Sequence, residues 1–243
     1  MNRWLSLLGA LLVIPCLGAV YSWSIYQGPL QEFFAARMGV QPDSLQMPIS
    51  MVFSVVILVF AVSAYFGGKL QDGIGPQKVT VAGGVLLGLG LILSSRATSV
   101  MHLYLFYGLI SGTGLGFAYI TPLATCNKWF PDKKGLISGV VVAGMGLGSL
   151  VFTPVGRAMV LSRGVMDTWL ALGFVFMGLV CTGSLFLKLP PAGYRPPGWN
   201  PIPGAMLLFT VASSLVPFAI AISAVTLCFG GYLALFPATT AEF

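Results

Sequence analysis

Charge is what this sequence has least of. Asp, Glu, Lys and Arg make up 7% of its 243 residues and only 6 are acidic, against roughly a quarter charged in a soluble domain. That deficit excludes a soluble globular domain. Histidine is nearly absent too: His102 is the only one, with no second His or Cys at ligand spacing, so no metal site is implied. The 4 cysteines, Cys16, Cys126, Cys181 and Cys228, lie in or at the ends of apolar runs without CxxC spacing, and read as packing residues. No Ser–His–Asp set and no GxxxxGKS loop occurs, and Gly112, Gly114 and Gly116 imitate part of a dinucleotide loop without the strand that must precede it. The expectation is a protein that is not an enzyme and carries no cofactor. The 12 basic residues, which give a net charge of +6, are scattered singly between apolar runs, a pattern of membrane topology signals and not of a nucleic-acid surface.

Apolar length is abundant. Hydrophobic residues are 57% of the chain and mean hydropathy is +0.93. Segments near the roughly 20 residues that a spanning helix needs fall at 4–26, 48–66, 79–95, 102–125, 135–156 and 168–187. This predicts an all-α, polytopic membrane helix bundle whose partner is the lipid bilayer. The first run follows Arg3, as a signal peptide would, but is too long for an h-region and lacks a small-residue cleavage site, so it reads as a retained span. The predicted loops are 27–47, 67–78, 96–101, 127–134, 157–167 and 188–203. Counted alternately, Arg3, Lys69, Lys78, Lys128, Lys133, Lys134, Lys188 and Arg195 fall on one side, and Arg37, Arg96, Arg157 and Arg163 on the other. The positive-inside tendency then predicts a cytoplasmic N-terminus. Arg157 is expected at the end of the fifth span, snorkelling to the surface. Trp4, Trp169 and Trp199, close to span ends, are expected to pack or to sit at interfaces.

The predicted organisation is a six-helix bundle over 1–188, a Pro-rich cytoplasmic linker over 189–203 (LPPAGYRPPGWNPIP), and a further apolar segment over 204–243. About 38 apolar residues in that tail would make a straight helix of roughly 57 Å, too long for one span and short for two. Pro217 leaves a kinked helix or a short hairpin open.

The stretch 111–148 organises the rest. Gly108, Gly112 and Gly116 precede a basic turn with Lys128, Asp132, Lys133 and Lys134, and Gly144 and Gly148 follow it, each set at a spacing of four. On helices these glycines form side-chain-free faces that let backbones approach closely. Gly116-Phe117 with Pro122 and Thr125 is echoed by Gly231-Tyr232 with Pro237 and Thr240.

Residues 67–78 read GGKLQDGIGPQK. This loop resembles the signature loop of the major facilitator superfamily, with Gly68, Asp72 and Gly75 at the matching positions and Gly73 where a basic residue is usual. There the glycines allow a tight turn, and the Asp binds a helix N-terminus or a basic partner. Residues 19–26, AVYSWSIY, followed by Gly28-Pro29, and residues 127–135, NKWFPDKKG, are similar to the first helix and the fourth-to-fifth loop of oxalate/formate antiporter-like carriers, neighbours of the monocarboxylate transporters. The end of the chain, CFGGYLALFPATTAEF, resembles their tenth helix, symmetry mate of the fourth.

The resemblance implies the N-terminal six-helix half of a major-facilitator fold plus one or two extra helices, an apparently incomplete carrier in a bacterial-type inner or plasma membrane. It implies transport of small organic anions by alternating access, weak or absent in this chain alone, because the family's essential cations lie on helices that the chain lacks. Tyr21, Trp23, Tyr119, Phe229 and Tyr232 are the implied substrate-pathway residues, while substrate, coupling ion and oligomeric state stay open. The alternative is a non-transporting membrane subunit that packs against another protein through its glycine faces.

Overall fold

The computed structural model describes residues 3–191, 193, 194 and 196. Nothing that follows concerns the tail 204–243, so its kink or hairpin, Phe229, Tyr232 and Trp199 lie outside the described residues. Among the described residues six helices are long and apolar enough to cross a membrane: α1 (Arg3–Met38), α2 (Pro42–Ile74), α3 (Pro76–Ser94), α4 (Val100–Trp129), α5 (Lys134–Arg163) and α6 (Val165–Ser184). The all-α polytopic bundle expected from hydropathy is therefore present.

The helices outrun the apolar segments that announce them. α1 continues twelve residues past Tyr26 because Leu30, Phe34 and Ala35 still bury one face. It stops at Gly39, whose left-handed backbone (φ +67°) returns its amide to the Ala35 carbonyl. The predicted loop 27–47 is thus mostly helix. The same correction applies at 67–78: α2 runs through Gly68 and Asp72 to Ile74, so the motif is a helix end and only Gly75 is a turn. It applies again at 157–167, where α5 runs to Arg163 and the connection shrinks to Gly164.

Gly75 (φ +89°, ψ 158°) and Gly164 (φ +83°, ψ 168°) occupy a backbone region that is almost closed to other residues. Each sits between the second and third helix of a triplet. The packing repeats this relation. α1 lies against α4 and α3 against α6, α2 packs on α4 as α5 packs on α1, and α3 packs on α4 as α6 packs on α1. Exchanging α1 with α4, α2 with α5 and α3 with α6 maps the set onto itself. The two triplets start from opposite ends of the bundle, which makes them inverted-topology repeats. Gly75→Ala is expected to cost about 1–3 kcal/mol through backbone strain. Gly73→Ala, in helix with nothing within 4 Å of the added carbon, is expected to be neutral or to stabilise by about 0.5–1 kcal/mol. Thermal melts of the two detergent-solubilised variants would show it, and equal melting points would refute it.

Burial ranks the helices. The apolar window of α1 is 61% buried and that of α5 only 28%, so α1 is the central helix and α5 a peripheral one held mainly by α1. Their crossing is made by glycine. A carbon added at Gly148 would meet the Pro15 carbonyl oxygen, and one at Gly18 the Met145 carbonyl oxygen. At the mate crossing of α2 and α4, a carbon added at Gly112 would come within 3.1 Å of Val56 O and one at Gly116 within 2.6 Å of Ala64 N. Carbons added at Gly108 and Gly144 would come within 2.9 Å of Val55 and 3.2 Å of Ile14. All five predicted packing glycines thus face neighbours within this bundle.

Candidate functional site

The two faces of α1 do different work. Trp23 and Tyr26, three residues apart and 2% and 5% exposed, point into the bundle, where Trp169 of α6 is 1% exposed. Trp23 stacks on Tyr107 of α4 (5.5 Å between centroids), Tyr107 stacks on Trp169 (4.9 Å), and Tyr26 meets the edge of Trp169 (5.9 Å). Phe53 of α2 stacks on the other side of Trp23 at 6.2 Å. Four helices therefore share one aromatic core. A cavity of about 20 Å³ adjoins it, lined by Tyr26, Tyr107 and Trp169 among others, about the room one water needs. Neither Trp23 Nε1 nor Tyr26 Oη has a hydrogen-bond partner there.

The opposite face of α1 is open. Tyr21 lies two residues, or roughly 200°, from Trp23, and is 44% exposed. Ser24 and Gly28 continue this exposed stripe at helical spacing. Tyr119 of α4 is half-buried and packs edge-to-face with Phe60 of α2 at 5.4 Å. A polar stripe exposed on the most enclosed helix of a membrane bundle suits a water-filled or partner-facing cavity better than lipid. Of the predicted pathway residues, the structure leaves Tyr21 exposed and Tyr119 half-buried and puts Trp23 in the core.

Local backbone irregularity sets these directions. A 3₁₀ turn at Ala19–Ser22 interrupts α1 just where Tyr21 leaves the core, advancing about 120° per residue instead of 100°. A π-helical segment, Tyr104–Ser111, interrupts α4 where Tyr107 enters it. Such segments concentrate at functional sites. Ser22 Oγ and Thr153 Oγ1, 2.7 Å apart, tie α1 to α5, and Gln27 Nε2 donates to Ser50 Oγ at 2.6 Å to tie α1 to α2.

Two ion pairs lie at the end of the bundle that holds the N-terminus. Lys128 Nζ, near the end of α4, lies 3.1 Å from Asp72 at the end of α2. The basic partner that Gly73 cannot provide thus comes from another helix. Both side chains are well exposed, so the pair contributes little to stability. Arg3 pairs with Asp132 at 3.3 Å while its guanidinium lies 5.0 Å over the buried Phe130 ring, against which Trp4 packs edge-on at 5.3 Å. Lys133 and Lys134 are exposed at the start of α5. A carbon added at Gly68 would make only an ordinary contact with Ile120 (3.7 Å), whereas one at its neighbour Gly67 would come within 3.2 Å of Phe117 Cα. Trp169 is an inward-packing residue, though it lies near a span end. Among the described residues no group of His, Cys, Asp or Glu could hold a metal ion.

Residues 5–243 match the model of the Major Facilitator Superfamily. Similar curated proteins include the MFS-type transporter YhjX of Escherichia coli (strain K12), 34% identical over 193 residues, covering 78% of this chain and 45% of that protein. The oxalate:formate antiporter of Oxalobacter formigenes is 32% identical over 190 residues, 78% of this chain and 43% of that protein. Monocarboxylate transporter 13 of Rattus norvegicus is 28% identical over 209 residues, 82% of this chain and 49% of that protein. The chain spans less than half the length of these relatives.

Proposed function

Because the chain belongs to the major facilitator superfamily, we propose that it supplies one wall of an alternating-access carrier for small organic anions of the oxalate, formate and monocarboxylate type. The observation that carries this reading is the exposed Tyr21 and the half-buried Tyr119, on two helices whose other faces are packed in the core. Phenol hydroxyls donate hydrogen bonds to a carboxylate without any covalent step, and the aromatic faces of Tyr119 and Phe60 exclude water around it. Relatives bearing the names of an oxalate:formate antiporter and of monocarboxylate transporters support the substrate class.

In this reading the charged end, with Asp72, Lys128, Lys133 and Lys134, faces the cytoplasm, by the excess of Lys and Arg there. The linker 189–203 then lies on the same side and leads to the segment 204–243. A second bundle is needed to close the cavity, so activity of these 243 residues alone is expected to be weak or absent. Interaction with another protein through the glycine faces draws no support from the geometry, since Gly112, Gly116 and Gly148 already face other helices of the same bundle.

Exchange of labelled oxalate against formate and lactate in proteoliposomes tests the reading. The expected result is saturable exchange by a carrier in which this bundle is joined to a second one, reduced at least about tenfold when Tyr21 and Tyr119 are both changed to Phe, the scale of lost charge-assisted hydrogen bonds. A carrier that moves only cationic substrates would sink the substrate class.

A further inference from the structure

Arg157 is not at a helix end. It precedes Arg163, the last residue of α5, by six positions, or about 9 Å along the axis. Its level in the bundle is set by its neighbour: Tyr26 Oη abuts Gly156, where a side chain would collide with it. Arg157 lines a cavity of about 280 Å³ with Ile25 and Pro29 of α1 and with Val160 and Leu161 of α5. Ile25 is one helical turn from Tyr21, and the Ser22–Thr153 hydrogen bond (2.7 Å) pins α1 to α5 one turn below Arg157. The groove therefore opens beside the exposed stripe of α1, one turn further along.

The charge in it is unanswered. The two ion pairs among the described residues use Asp72 and Asp132 at the other end of the bundle, and Arg157 makes no hydrogen bond or ion pair with a described residue. The other four lining residues are apolar. Arg157 is exposed, so a small anion can reach it, and a guanidinium offers a planar fork that matches the two oxygens of a carboxylate. The apolar walls would meet the hydrocarbon part of an acid such as lactate.

We propose that Arg157 and its groove form an outer carboxylate subsite, where a small organic acid docks through a bidentate contact one turn away from Tyr21. This rests on the transport reading for the identity of the anion, but its test does not need transport. The 243-residue chain is reconstituted in vesicles of phosphatidylcholine alone, and in others containing phosphatidylglycerol. Arginine is labelled with phenylglyoxal, with and without oxalate or lactate, and each arginine's labelling rate is read by peptide mass spectrometry.

In phosphatidylcholine the carboxylates are expected to slow labelling of Arg157 about fivefold or more, which corresponds to occupancy of most sites. Arg163 and Arg96 should keep their rates, and chloride at equal ionic strength should not reproduce the effect. No slowing at Arg157, or equal slowing at all three arginines, overturns the subsite. So does shielding by phosphatidylglycerol that carboxylate cannot increase in either lipid, because the groove would then hold a lipid phosphate. Arg157→Gln is expected to lower binding of labelled oxalate about tenfold, with Arg157→Lys between it and the wild type. Unchanged binding in Arg157→Gln also overturns the proposal. Selective protection of Arg157 in a carrier that exchanges no oxalate would leave the subsite standing and remove the transport reading alone.

Discussion

Gly148→Leu is expected to leave no folded bundle, whereas Gly146→Leu, two residues away on the same helix, is expected to fold normally. A carbon added at Gly148 would overlap the carbonyl oxygen of Pro15 and come within 2.6 Å of its carbonyl carbon and 2.7 Å of its Cα. These are backbone atoms, so no rotamer change can yield the space. The obstruction is reciprocal, because Gly18 of α1 rests on the Met145 backbone in the same way, and both contacts open if α5 moves off. Over-packing a core costs typically about 1–3 kcal/mol when side chains can shift. Here the whole helix must shift, and even Gly148→Ala should fall at or above the top of that range. Leucine adds three further carbons. α5 has little else to hold it, being the least buried of the six spans. Gly146 has nothing within 4 Å, so leucine there only adds to an exposed face. Recovery of monodisperse protein after detergent extraction, and its melting temperature, decide the matter. Equal recovery of the two variants would mean that the α1–α5 crossing does not require glycine.

That contrast marks how far the sequence could be read. The six spans of the described residues followed from apolar length, and the spacing of four in Gly108, Gly112, Gly116, Gly144 and Gly148 pointed to close packing because a missing side chain has the same consequence whichever neighbour arrives. The helix ends were misplaced wherever a helix carries polar residues beyond its apolar core. Asp72, Arg157 and Gln27 all sit in regular helix, since tertiary neighbours and the glycines at 39, 75 and 164, not hydropathy, decide where the backbone turns. The site was half legible. Tyr21 and Trp23 belong to one recognisable motif, but their opposite directions depend on the 3₁₀ turn at Ala19–Ser22 and on the helices around it. The aromatic core was missed because Trp169 lies close to the start of α6, where tryptophan commonly marks an interface. α6 begins at Val165, so Trp169 is one turn inside it and faces α1. The inverted repeat was also hidden, its clearest sequence trace being the two isolated glycines 75 and 164.

Trp169→Ala is the second large effect to expect, a loss of about 3–5 kcal/mol, the range for removing a fully buried large aromatic. Within a bilayer the cost does not come from exposing the indole to water, since α6 is flanked by lipid as well as protein. It comes from lost packing, which is what holds membrane helices together. Trp169 touches Tyr107 at 4.9 Å, Tyr26 at 5.9 Å and Trp23 at 6.2 Å. Each aromatic pair contributes about 0.5–1.5 kcal/mol beyond its area, and three pairs go at once. Trp4→Ala provides the contrast: Trp4 is 54% exposed at the other end of the bundle, and its loss should cost a fraction of that. A smaller destabilisation in Trp169→Ala than in Trp4→Ala, measured by thermal or denaturant unfolding in detergent, would show that the aromatic cluster is not the mechanical core. Trp169→Phe separates stability from function. It keeps an aromatic ring against Tyr107 but loosens the support behind Trp23, two residues from Tyr21 on the reverse face of α1. A modest drop in melting temperature with a larger drop in anion binding would then mean that the core acts by fixing the rotation of α1, and through it the direction of Tyr21.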